Sequence, residues 1–440
     1  MKKSLQIITL GCSKNTVDTE HLLAQVPADF EVFPEDYSGK VDYLLVNTCG
    51  FIGDAKEESV QAVFSAVARK NEGLAGKLFV FGCLSQRYMN ELPELIPEVD
   101  GWFGARDLAP VAQALGFSIS DPSARYRMSG SLPYAYLKIS EGCDRRCSYC
   151  AIPFIRGAHK SVPIEELVKE ASSLARSGVR ELILIAQDTT FYGLDLYHRR
   201  VLAELLDRLS EIDGIEWIRI HYSYPADFPE DVLDRMADNP KVCRYMDIPL
   251  QHVADKVLDN MHRHVDGAWT RELIGRMRSR VPGIALRTTM IVGHPGEGKK
   301  EFSELLDFVR EARFERLGAF AYSEEEGTFG AEHFKDSVPA RTKQARLSEL
   351  MELQKGISLE YNTSRIGTDV KVLVDSFSDG VLVCRSEFES PEVDGEILVR
   401  YIPEMARPIE DMPGRFITVH VTAADDYDLV AEYVGPAETA

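Results

Sequence analysis

Between residues 131 and 335 six strand-like runs alternate with helical stretches. They are "AYLKIS" (135–140), "ELILIAQD" (181–188), "WIRIHYS" (217–223), "CRYMDIPL" (243–250), "ALRTTMIVG" (285–293) and "LGAFAYS" (317–323). Parallel strands need a crossover between neighbours, usually a helix, and such crossovers are right-handed. Six βα units in about 200 residues therefore predict a partial (βα)6 TIM-like barrel, open on one side. A long helix is predicted next, over 339–362, with Pro339 near its first turn.

The flanks read differently. Three apolar runs, "SLQIITL" (4–10), "DYLLVN" (42–47) and "KLFVFG" (77–82), suit buried parallel strands. Between the last two, residues 55–70 place Val60, Val63, Phe64 and Val67 at the i, i+3, i+4, i+7 spacing of one helix face. An N-terminal parallel α/β sheet is expected, followed by a polar, turn-rich linker over 121–130. After residue 368 helical periodicity is lost, and short β-rich runs predict a small all-β barrel. The fold class is α/β, with domains over 1–125, 131–362 and 368–437.

The chain has eight cysteines. Cys12, Cys49 and Cys83 each lie just past the carboxyl end of a predicted strand. In a parallel sheet those ends share one edge, where ligands bind, so the three thiols are expected to converge. Three separately buried cysteines are the plain alternative. A second set, Cys143, Cys147 and Cys150, stands in "EGCDRRCSYC" directly after the first barrel strand, at the end where such barrels place their active sites. A zinc site needs four protein ligands, and only His159 offers itself as the fourth. A redox dithiol in "CSYC" lacks its usual setting. A four-iron cluster held by three thiolates leaves one iron open for a small molecule.

Charge and the N-terminus narrow the class. The formal net charge is −20, against a generic grip on nucleic-acid phosphates. No apolar run reaches the length of a membrane span, and "LQIITL" is short for an export signal. A cytoplasmic, reducing location is expected, which favours metal over disulfides for the cysteines. Residues 369–438 hold sixteen Asp/Glu against five Lys/Arg, a balance of −11. That surface would repel RNA and suits a basic protein partner, although plain solubility also explains it.

The spacing of "CDRRCSYC" within a partial barrel resembles the radical S-adenosylmethionine enzymes. Together with Cys12, Cys49, Cys83 and the terminal barrel, it resembles their methylthiotransferase family, whose last domain is called TRAM. The resemblance implies two [4Fe-4S] clusters and S-adenosyl-L-methionine as cofactors. Cys143, Cys147 and Cys150 would hold the cluster whose open iron takes S-adenosylmethionine, giving a 5′-deoxyadenosyl radical that abstracts hydrogen. Cys12, Cys49 and Cys83 would hold the auxiliary cluster that carries the sulfur.

One branch of the family modifies adenosine in transfer RNA. The other modifies the β-carbon of an aspartate in small-subunit ribosomal protein uS12. "NTCGFIGDAKEES" (47–59), "CAIPFIRG" (150–157), "IAQDTTFYG" (185–193), "DIPLQHVADKVL" (247–258), "SPEVDGEI" (390–397) and "VTAADDYDL" (421–429) are similar to the second. Implied partners are uS12, free or in the small subunit, and an electron donor such as flavodoxin or ferredoxin; neither a membrane nor RNA outside the ribosome is expected. "IVGHPGEGKKEF" (291–302) departs from the pattern at His294 and Gly298, where an aromatic residue and Thr are expected.

Further candidates follow from position. Tyr149 lies in the cysteine loop, where it lines the cofactor or shields the cluster. Gln187 and Asp188 end the second strand and should reach the mouth, though Asp188 also suits a turn. Gln251 and His252 follow the fourth strand in the same way. Arg156 pairs with a carboxylate of cofactor or substrate, or makes a surface salt bridge. Cys243 and Cys384, inside strands, read as core.

Overall fold

The computed structural model describes residues 2–128, 130, 132–402 and 407–437; Ser129 of the expected linker and Ser131, the expected start of the middle domain, lie outside them. The first sheet has five parallel strands, β1 (Lys3–Thr9), β2 (Phe30–Phe33), β3 (Val41–Thr48), β4 (Ala75–Gly82) and β5 (Gly101–Trp102), in the order β2-β1-β3-β4-β5. The three inner strands are the three apolar runs. The edges β2 and β5 escape the sequence reading because an edge strand needs no buried apolar run on both sides, and these are only four and two residues long.

Two helices of this domain bear on the site, α1 (Ser13–Leu23) and α2 (Gly53–Asn71). The predicted face of α2 needs correction. Ser59, Val63, Ala66 and Val67 are buried, whereas Phe64 is 51% exposed. The helix turns small residues to the sheet, and Ser59 comes in beneath the turn after β3. There its hydroxyl accepts from the Cys49 N–H (2.9 Å) and donates to the Cys49 carbonyl (2.8 Å).

The middle sheet contains β6 (Tyr134–Lys138), β7 (Glu181–Ile185), β8 (Trp217–Ile220), β9 (Val242–Asp247), β10 (Ala285–Val292) and β11 (Arg316–Ala321). All pair in parallel and in chain order, and the two edges do not meet. This is the six-unit partial barrel expected from the alternating pattern. Leu182, Leu184, Ile218, Ile220, Met246 and Leu286 pack outward in the core formed with the helices. Residues one position away point inward, as the two-residue period of a strand requires. The linking helix runs Ala340–Ser364, and Pro339 immediately precedes it as its cap.

The last segment closes a five-stranded barrel from β12 (Asp369–Ser378), β13 (Val381–Arg385), β14 (Ile397–Arg400), β15 (Phe416–Ala424) and β16 (Leu429–Pro436). The β13–β14 loop enters the concave face of the middle sheet at the amino ends of its strands. Glu392 accepts from the Tyr134 and Tyr136 hydroxyls (3.0 and 2.8 Å), and Asp394 from that of Tyr245 (2.6 Å). Ser390 Oγ lies 2.8 Å from His221 Nε2. Glu389 is buried against Arg316 and Arg365. Below the loop, Leu373 and Phe416 pack on Trp217, Cys243, Tyr245 and Ala285. Toward the carboxyl ends, Asp18 of α1 pairs with Lys138, and Val17 joins the apolar cluster of Ile183 and Ile185. The barrel interior is thus filled from below by the last domain and partly covered from above by the first. No helix among the described residues is long and apolar enough to cross a membrane.

Candidate functional site

The first three thiols do gather at one sheet edge. Cys12 is the N-cap of α1, Cys49 follows β3, and Cys83 follows β4. Their closeness is measured by Gly11, whose φ is +89°. A Cβ there would stand 2.6 Å from Cys49 Cβ and 2.9 Å from its Sγ, so only glycine fits between the two cysteines. Cys49 and Cys83 are buried and Cys12 is exposed. Burial pushes the Cys83 thiol up to about 12, partly opposed by Arg156. The Cys49 thiol is also raised, again mainly by burial.

Arg156 organises this edge. It is 3% exposed, so the surface-salt-bridge alternative does not apply. Its Nε donates to Cys83 Sγ (3.3 Å), its Nη1 to Asp18 (2.7 Å) and Glu141 (3.2 Å), and its Nη2 to Asn15 Oδ1 (2.6 Å). Asn15 in turn donates to the carbonyls of Leu10 (2.8 Å) and Thr48 (3.1 Å), tying the turns after β1 and β3 together. Arg156 stands six residues after Cys150. One guanidinium therefore links the two cysteine sets.

The second set lies in the loop after β6, closed by a short antiparallel pair, Ser140–Glu141 with Lys160–Ser161. Gly142 at the loop's start has φ +78°, and a Cβ there would meet the Ala158 carbonyl oxygen at 2.1 Å. Ser148 anchors the tip: its N–H donates to the Met261 carbonyl (3.0 Å) and its carbonyl accepts from Gly330 (2.6 Å). Arg263, 3% exposed, aims Nη1 at Cys147 Sγ (3.4 Å) and at the Tyr149 hydroxyl (3.4 Å). Its guanidinium and that of Arg145 sandwich the Tyr224 ring at 4.2 and 4.1 Å. Burial raises the Cys143 thiol to about 12 and the Cys150 thiol further.

Both sets have the chemistry to hold an iron–sulfur cluster. Each offers three thiols, with a buried guanidinium hydrogen-bonded to one sulfur, and a cation there favours thiolate. Among the described residues no three His, Cys, Asp or Glu come together tightly enough for a single metal ion. A four-iron cube is larger, and its thiolates each hold a different iron. His159 is turned elsewhere, with Nε2 3.1 Å from Ser161 Oγ and its ring against Phe191.

The other sequence candidates divide. Gln251 has φ +73° and bridges to β10 through Thr289 and Ile291; its buried Oε1 has no hydrogen-bond partner among the described residues. The same holds for Gln187 Oε1, while Gln187 Nε2 donates to Glu141 (2.8 Å). Both carboxylate oxygens of Asp188 are taken, by Arg145 (2.7 Å) and by the N–H and hydroxyl of Thr190 (2.9 and 2.6 Å). Tyr149 packs beside Ala254, Val257 and Met261. His252 is buried, with Nδ1 accepting from Ala254 N–H (3.0 Å) and Nε2 3.4 Å from Glu297. Cys243 and Cys384 lie in apolar clusters.

The two departures are accommodated. His294 sits among aromatic rings, 4.9 Å from Tyr322 and 6.3 Å from Tyr149 and Phe334. Burial lowers its pKa to about 4, so the ring is neutral and fills an aromatic place. Gly298 caps the helix Lys299–Ala312, and Glu301 accepts from its N–H (2.8 Å). Sequence reasoning missed Asn15, Arg263 and Tyr224. Asn15 follows Cys12 closely, which is a signal of a kind; Arg263 and Tyr224 carry none.

Comparison with known proteins agrees with this geometry. The Radical SAM superfamily profile matches residues 137–309, the TRAM domain profile 366–434, and that of the uncharacterized protein family UPF0004 residues 4–104. A relative from Bacteroides thetaiotaomicron, the ribosomal protein uS12 methylthiotransferase RimO, is 49% identical over 99% of this chain and 100% of its own length. The proteins of that name from Porphyromonas gingivalis and Flavobacterium johnsoniae are 49% and 46% identical, each over 98% of this chain and 99% and 98% of theirs. Among solved structures, the radical S-adenosylmethionine methyltransferase TsrM of Kitasatospora setae aligns over 93% of this chain and 82% of its own, with a TM-score of 0.54 and 15% identity. That likeness speaks to the fold. Near-half identity along the whole length, with six thiols gathered at two sheet edges, makes this chain a member of the RimO family of radical S-adenosylmethionine methylthiotransferases.

Proposed function

We propose that the protein inserts a methylthio group at the β-carbon of an aspartate in ribosomal protein uS12. The observation that carries this reading is the 48–49% identity, end to end, to uS12 methylthiotransferases. Cys143, Cys147 and Cys150 would hold the cluster that binds S-adenosylmethionine, and Cys12, Cys49 and Cys83 the auxiliary cluster. When bound, these groups supply radical hydrogen abstraction, sulfur and methyl; an aspartate β-hydrogen is too weakly acidic for a side-chain base working near neutral pH.

The chain's own residues bind, orient and shield. Arg156 and Arg263, both buried, each present a guanidinium to a sulfur, one in each thiol set. Gln251 and Gln187 carry carbonyl oxygens with no hydrogen-bond partner among the described residues, at strand ends on the mouth side, suited to donors of a bound cofactor. Tyr149 lies on the cysteine loop in reach of the same space.

The acidic terminal domain fits a basic protein partner better than RNA, but part of its charge is used internally. Glu387 pairs with Arg244, Glu389 with Arg316 and Arg365, and Asp394 lies near Arg287. Asp426 pairs with Lys355, and the exposed remainder includes Asp425 and Asp428. An electron donor such as flavodoxin or ferredoxin, a cytoplasmic location and the division at 1–125, 131–362 and 368–437 complete the proposal.

Mass spectrometry of uS12 and of bulk transfer RNA, from cells with and without the gene, tests it. Loss of the methylthio mass from uS12 is expected. Unchanged uS12 with altered transfer RNA would assign the other branch.

A further inference from the structure

Lys14 stands apart from the charged residues around the two thiol sets. It is two residues after Cys12, on the face of α1 that meets the middle sheet, and only 8% exposed. Its neighbours on that face, Val17 and Asp18, pack on β6 and β7 and pair with Lys138 and Arg156. The nearby carboxylates are all engaged. Asp18 and Glu141 share Lys138 and Arg156, Asp188 takes Arg145, Asp247 takes Arg287, and Glu392 takes two tyrosine hydroxyls. The Lys14 ammonium makes no hydrogen bond or ion pair among the described residues. It lies over the face of Tyr222, whose centroid is 3.0 Å from Nζ.

Tyr222 follows β8 at the mouth. Its φ of +59° is unusual for a large side chain, and Asp247 Oδ2 and Thr189 hold its backbone there at 2.9 and 3.1 Å. A ring fixed in this way stabilises a cation without neutralising it. A largely buried ammonium with no anionic partner is costly to keep, and a carboxylate that arrives from outside satisfies it.

We propose that Lys14 is the specificity-determining residue that receives the carboxylate of the substrate aspartate. It stands beside the Cys12 end of one thiol set and at the mouth that carries the other. The carboxyl carbon of an aspartate is bonded directly to its β-carbon. Pinning the carboxylate therefore fixes the reacting carbon to within one bond, and the hydrogen to be removed is presented in one orientation. An adenosine has no carboxylate to offer, so the same residue works against a nucleic-acid substrate.

This inference rests on the uS12 reading above, and one experiment separates their fates. Reconstituted enzyme, matched for iron content, is given ribosomal protein uS12 and its target Asp→Asn version, and methylthio product and binding are both measured. A charge-assisted hydrogen bond of ordinary strength predicts that the wild type prefers Asp over Asn by about 100-fold in kcat/KM. In Lys14→Gln that preference should fall to about threefold, with weaker binding of Asp-bearing uS12 only, and Lys14→Arg should restore most of it. A Lys14→Gln enzyme that keeps the full Asp/Asn ratio overturns the proposal, as does a wild type that treats both substrates alike. A wild type that leaves uS12 unmodified overturns the functional reading itself.

Discussion

A guanidinium that is 3% exposed is held by what surrounds it, and Arg156 is surrounded by Asp18, Glu141, Asn15 and a cysteine sulfur. Removing the cation leaves buried Asp18 with Lys138 as its only cation. Arg156→Gln should cost about 3–5 kcal/mol, read as a lowered chemical-denaturation midpoint. Gly11 is equally constrained. Gly11→Ala drives a methyl into Cys49, and reconstituted protein should bind roughly four irons per chain rather than roughly eight, one cluster of two being lost. His221 supplies a pH dependence. Burial pushes its pKa down to about 3, against about 6.5 in the unfolded chain. Between those values the unfolded chain takes up a proton that the folded chain refuses, so stability falls as pH drops below about 6.5, by about 1.4 kcal/mol per unit. Denaturation at pH 7 and pH 5 checks this, because His221→Asn should flatten the slope by one proton. None of these three environments is legible in sequence. The partner of Arg156 in α1 is 138 positions away, and no local pattern records it.

At the scale of elements the sequence was more informative. Each inner strand announces itself as an apolar run, since both its faces are buried, and each cysteine is placed by the strand it follows. Helix α2 shows where pattern reading stops. Its period was visible, and Val60, Val63 and Val67 do pack on the core, but Phe64 is as apolar as they are and is exposed, so apolarity alone could not fix the rotation. Ser59 settles it through the hydrogen bonds to Cys49. Phe64→Ser should leave stability within about 0.5 kcal/mol, whereas Val63→Ala should cost about 2 kcal/mol; thermal denaturation of the two variants distinguishes the faces. The β13–β14 loop was invisible for a different reason. Its "SEFESPEVDG" text looks like a solvated turn, yet Glu389 is buried on Arg316 and Arg365, and Glu392 and Asp394 take tyrosine hydroxyls of the middle domain, partners that no local pattern records.

For the whole molecule, that loop is the lock between the last two domains. Glu389 is buried, which alone would raise its pKa, but Arg365 and Arg316 outweigh burial and hold it at about 2. Its contribution is present above about pH 4.5 and fades as pH falls toward 2. Glu389→Gln at neutral pH strands two buried arginines and should cost about 3 kcal/mol; faster proteolytic cleavage near residues 386–394 is the expected sign that the terminal barrel has loosened. The three-part organisation was readable from the change of period along the chain, but the way the parts interpenetrate was not. Because the last domain supplies the floor of the middle one, the reaction chamber is a cul-de-sac whose base belongs to a different module from its walls. Grafting the terminal barrel of a relative with another target would replace more than an antenna; it would recast the bottom of the chamber. In this lineage, then, what the enzyme recognises and the shape of the space in which it reacts have to drift together.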